Sequence, residues 1–110
     1  MAHEVDLDKA IRFVEAHGSA AEHARLRFVL SGARAPVETT DALFAGQRAD
    51  GGFAPFWAPA ISSVDATCFM LAQLEQMGAA SARDGRIVQA LNFFARRQAR
   101  DGSIEEDDGV

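Results

Sequence analysis

Apolar residues recur at helical spacing through most of the chain, and glycines, prolines and serines punctuate the segments they mark. Val5 to His17 reads as a first helix, with Ile11, Phe13 and Val14 apolar, Asp6 and Asp8 near its start and Gly18 past its end. Ser19-Ala20-Ala21-Glu22 is a capping-box pattern that opens a second helix, with Leu26, Val29 and Leu30 on its apolar side and Gly32 as its stop. These two form an α/α hairpin. Pro36 suits the first turn of a third helix running to about Arg48, because proline lacks the N–H that would be unsatisfied there. Ser62-Ser63-Val64-Asp65 opens a fourth that runs to Gly78, apolar on most of its circumference and therefore expected at the centre. Ser81 to Asp84 opens a fifth, in which Ile87, Leu91 and Phe94 stand opposite Arg86, Gln89 and Arg96, an amphipathic and peripheral pattern. No segment reads as a strand, so the expected fold is all-α.

The segments between these helices contain a repeat. Gln47-Arg48-Ala49-Asp50-Gly51-Gly52-Phe53 returns as Gln98-Ala99-Arg100-Asp101-Gly102-Ser103-Ile104, and Gln47, Asp50 and Gly51 each find their counterpart 51 residues on in Gln98, Asp101 and Gly102. The physical expectation is a helix ending at Gln, an Asp-Gly turn, and an apolar plug (Phe53, Ile104) that folds back on the helix. The Gln amide can donate and accept at once, and so can bridge one helix end to backbone groups of its neighbour. A period of this length points to stacked helix pairs. The loop Asp50 to Ile61 is broken by Gly51, Gly52, Pro55 and Pro59. With Phe53, Phe56 and Trp57 it is nevertheless too apolar to lie free in water, and it is expected to pack over the helix ends.

Leu43-x3-Gln47-x3-Gly51-x-Phe53 and Phe94-x3-Gln98-x3-Gly102-x-Ile104 resemble the QW repeat of squalene and oxidosqualene cyclases. Their α/α-toroid fold is shared by the β subunits of protein prenyltransferases. The resemblance spans roughly Val37 to Glu106 and implies a partial α/α toroid of about five helices, as one domain over residues 1–110. Residues 1–35 would form the N-terminal hairpin, 36–104 two repeats and 105–110 an acidic tail. By the 51-residue offset the chain stops where a further inner helix would begin. The expectation is therefore a fragment of a longer toroid or an open end closed by another chain, including a second copy in a homo-oligomer.

Composition narrows the classes of function. The chain has 110 residues, 48% apolar and 25% charged, with formal net charge −5 and a pI near 5.0. Acids outnumber bases in both halves, which disfavours a nucleic-acid partner. No apolar run approaches a membrane span. The single cysteine, Cys68, excludes an internal disulfide, and the N-terminus lacks the marks of a signal peptide, so a cytoplasmic address is expected. The tail Glu105-Glu106-Asp107-Asp108 repels itself and is expected to be solvated.

Candidate chemistry centres on Asp65. The resembled cyclases carry D-x-D-D-T at the cavity end of an inner helix, and aligning the threonines at Thr67 places Asp65 on the middle aspartate, which the resemblance implies is a general acid. Ser63 and Ala66 stand where the flanking aspartates would be. The competing reading makes Asp65 a capping acid paired with Ser62. Asp65 and Cys68 share a helix face, but the prenyltransferase zinc pattern needs a different spacing and a downstream histidine, whereas His3, His17 and His23 all lie upstream. No cofactor is therefore expected, zinc included, and Cys68 reads as a small core residue. Arg96, Arg97 and Arg100 either hold a diphosphate or answer the helix dipole, and the second reading is preferred. Phe53, Phe56, Trp57 and Phe69, with Met70, either line a pocket for an apolar, isoprenoid-like molecule or form core. The expected function is a non-catalytic binding or structural module of this repeat type. The alternatives are a terpenoid cyclase or prenyltransferase activity with Asp65 as acid or metal ligand, and a subunit or fragment used for assembly.

Overall fold

In the computed structural model, which describes residues 4–110, each helix starts where a short polar side chain or a proline can end the preceding extended segment. Helix α1 (Leu7–His17) begins at Asp6, whose carboxylate accepts from the Lys9 N–H. Helix α2 (Ala20–Ser31) begins with the full Ser19–Glu22 capping box and ends on Gly32 in the left-handed region. Helix α3 (Val37–Phe44) follows Pro36, α4 (Val64–Gln76) follows Ser63 and α5 (Gly85–Arg97) follows Asp84. The fold is all-α: among the described residues there is no strand, only two isolated antiparallel bridges, Phe53 with Ser63 and Gln98 with Ile104.

The core lies where α3, α4 and α5 meet the loop after α3. Phe44, Phe53, Leu74 and Ile87 pack together, and Ala90, Phe93 and Met77 are also buried. Burying each large apolar side chain contributes roughly 1.5–3 kcal/mol. Helix α2 joins through Phe28, whose ring sits on Gly78, where a Cβ would collide with it. Helix α3 is tied to α5 through Arg86. Its guanidinium bonds Asp84 (3.0 and 3.1 Å) and Asp41 (2.9 Å) and lies 4.0 Å above the centre of the Phe44 ring.

Several expected faces are turned. On α5 the buried series is Ile87, Ala90 and Phe93, with Leu91 half exposed. The cause is the close approach of the loop backbone at Gly51 and Gly52 to Gln89 and Phe93, which covers this side of the helix. On α2, Val29 and Leu30 are exposed and Ala24 is buried, because α2 has apolar residues on every side and the site of Phe28 decides its rotation. Helix α3 ends at Phe44, so Gln47 and Arg48 belong to the loop. Helix α4 covers the core with Thr67 and Leu74, yet Asp65, Cys68 and Phe69 face solvent; Cys68 is thus a surface residue.

The two copies of the sequence repeat have the same backbone. Gly51 and Gly102 have φ of 89° and 90°. The Gln47 amide donates to the Gly51 carbonyl at 3.0 Å and Gln98 to Gly102 at 2.9 Å. Asp50 accepts from the Gly52 N–H, and Asp101 from the Ser103 N–H, each at 2.9 Å. In the first copy Gln47 also donates to the Arg86 carbonyl of α5 at 2.8 Å, joining α3's end to its neighbour.

Candidate aromatic groove

The loop 50–61 is shaped by bonds at its base. The Asp50 carboxylate accepts from the Ser62 hydroxyl (2.7 Å) and the Gly52 N–H. Burial would raise its pKa, but the bonds from Ser62 and Gly52, with Arg48 and Arg97 near by, hold it below the ordinary value. The Phe53 N–H donates to the Thr67 hydroxyl (2.9 Å), which itself donates to the Ser63 carbonyl, and Ser63 N–H donates to the Phe53 carbonyl. Arg48 reaches across the loop to the carbonyls of Pro59 (3.2 Å) and Ala60 (2.7 Å).

Pinned this way, the loop sends its aromatic residues in opposite directions. Phe53 goes inward at 3% exposure beside Phe44, so it is a core plug and does not line the groove with the other expected ligand contacts, a correction to its expected role. Phe56 and Trp57 stand at the tip, 90% and 58% exposed, in an edge-to-face pair with centroids 5.0 Å apart. Opposite them α4 presents Asp65, Ala66, Phe69 and Met70. The groove between has a volume of about 560 Å³ and is completed by Ala54 and Pro55. That size lies within the usual range for small-ligand sites.

Asp65 stands at this groove, in the first turn of α4, with an exposed side chain whose carboxylate makes no hydrogen bond or ion pair to any described residue. It is not the cap of α4. Ser63, not Ser62, caps the helix by accepting from Ala66 N–H, while Ser62 serves Asp50. The acid at this helix end comes from the tail: Glu106 accepts from the Val64 N–H (2.8 Å), the Asp65 N–H (2.9 Å) and the Ser63 hydroxyl (2.9 Å). Partial burial would raise the Glu106 pKa, but these bonds, with one from Asp107 N–H, hold it below the ordinary glutamate value. Asp107 lies 3.5 Å from Arg97, and so the tail, solvated as expected at Glu105, Glu106 and Asp108, is also tied to both α4 and α5.

The other candidates lie elsewhere. Gln47, Asp50, Gly51, Gln98, Asp101 and Gly102 build the two turns already described. Arg96 donates to the Asp50 carbonyl and Arg97 lies over Phe93. His23 bonds the Val14 carbonyl (2.9 Å), His17 packs on Phe13, and His3 lies outside the described residues. Among the described residues no three His, Cys, Asp or Glu side chains are grouped to hold a metal ion. A further cavity of about 490 Å³ beside α2 is lined by Glu15, His23, Leu26, Arg27, Leu30 and Ser31, a mixed-charge surface with no aromatic face apart from the imidazole. Among the described residues no helix is long and apolar enough to cross a membrane.

Arg48 and Glu106 shape this site and were not legible as doing so. Arg48 adjoins the repeated Gln but faces Ala99 in the second copy, so the repeat offers no signal for it. Glu106 acts on residues 41–43 positions away. No family model, curated protein or solved structure matches this chain.

Proposed function

We propose that this chain is a non-catalytic α/α-repeat binding module, of the type it resembles in squalene cyclases and prenyltransferases, whose groove between the 54–57 loop tip and α4 accepts an apolar, isoprenoid-like molecule. The observation that carries this reading is the convergence of Phe56, Trp57, Phe69 and Met70 on one open groove of about 560 Å³. Aromatic rings held in water by a loop braced at its base are available to a ligand without rearrangement of the core. Catalysis by Asp65 finds less support: protonating an alkene calls for an acid shielded from water and tuned by neighbours, and Asp65 is exposed beside Ser63 and Ala66.

The chain has one tryptophan and no tyrosine, so its emission reports Trp57 directly. Titration with farnesol is expected to shift that emission to shorter wavelength and to raise the melting temperature. Phe69→Ala is expected to weaken binding by about fivefold. Emission that does not change up to the solubility limit of the alcohol overturns the reading.

A further inference from the structure

The groove holds one formal charge amid its apolar wall. Asp65 is the sole ionisable residue lining it, and its carboxylate has no ion-pair or hydrogen-bond partner among the described residues. The arginines at the base of the loop and at the end of α5 are engaged with other groups. Arg48 serves the Pro59 and Ala60 carbonyls, Arg96 the Asp50 carbonyl, and Arg97 lies over Phe93 and against Asp107. The next ionisable group at this end of α4 is Glu106, a second carboxylate, which the Asp65 N–H itself bonds.

Three aromatic rings line the same groove, Phe56, Trp57 and Phe69, all more than half exposed. Aromatic faces attract cations through the ring quadrupole, and a carboxylate beside them adds direct Coulomb attraction. An anionic head would meet the Asp65 carboxylate in the groove and a chain of net charge −5. A neutral head would gain from the hydrocarbon wall alone.

We infer that the preferred ligand is an amphiphilic cation, a hydrocarbon chain ending in a quaternary or protonated ammonium group, with its chain along Phe69 and Met70 and its head between the aromatic rings and Asp65. This rests on the groove being an apolar ligand site and adds the charge of the head group.

The test uses three probes with the same ten-carbon chain, decyltrimethylammonium, decyl maltoside and decyl sulfate, each below its micelle-forming concentration and followed by Trp57 emission. The cation is expected to bind about two- to fivefold more tightly than the maltoside, and the sulfate most weakly. In Asp65→Asn the ratio of cation to maltoside affinity is expected to fall to about one. In Asp8→Asn, which changes the net charge equally from a distant helix, the ratio is expected to persist. Equal affinity for the cation and the maltoside in the native chain overturns the inference while leaving the groove as an apolar site, and so does a preference that survives in Asp65→Asn. If none of the three probes alters Trp57 emission, the groove itself is no binding site and both readings fall.

Discussion

Gly51 and Gly102 have nearly the same φ, yet their surroundings differ. A Cβ on Gly51 would land on the Gln89 carbonyl of α5, whereas on Gly102 the nearest atom is the Gln98 amide nitrogen at 3.7 Å. Left-handed backbone costs a non-glycine residue roughly 1–2 kcal/mol. Gly102→Ala is therefore expected to lower stability by about 1 kcal/mol, and Gly51→Ala by at least about twice that, because the α5 backbone must also move. Urea denaturation of the two variants measures the difference, and equal losses would deny the close approach. The glycines and their turn were legible because a chain reversal restricts residue type within a few positions. The fates of Phe53 and Phe56 were not. Both are phenylalanines in one apolar loop, and what separates 3% from 90% exposure is the Thr67 hydroxyl holding the Phe53 N–H from 14 residues away.

Among the elements, α4 depends most on a distant segment. If only Ser63 served its first turn, the Val64 and Asp65 N–H groups would be left to water, and Glu106 takes both of them together with the Ser63 hydroxyl. Glu106→Gln is expected to cost about 1 kcal/mol, the scale of losing a helix cap. The sign with pH follows from the lowered pKa. A carboxyl that holds its proton less readily when folded stabilises the fold above its unfolded value, near 4.5, and that stability disappears as pH falls through the lower folded value. The native melting temperature should therefore decline on acidification below about pH 4.5, and Glu106→Gln should flatten the decline. An identical acid profile in native and variant chains would show that the tail contributes nothing. Helix positions were legible from caps and periodicity, but rotation was not. From Ile87, both the series Leu91 and Phe94 and the series Ala90 and Phe93 keep helical spacing, and only the approach of Gly51 and Gly52 selects the second.

Taken whole, the molecule is elongated, 50 × 37 × 26 Å with a radius of gyration of 16.6 Å, against about 13 Å for a compact domain of similar length. That departs from the globular shape its average composition suggests and follows from layering: α1 buries no residue fully, and α2 meets the rest along α3 and α4. An extended stack exposes more of its helix faces than a sphere does, which leaves Phe69 of α4 and the loop tip open to a ligand. The most direct test is the backbone amide spectrum of the labelled chain recorded with and without farnesol. The account predicts that the largest changes cluster at Ala54, Phe56 and Trp57 and at Asp65 to Met70. Changes centred instead on Glu15, His23, Leu26 and Leu30, or spread evenly with no cluster, would contradict it.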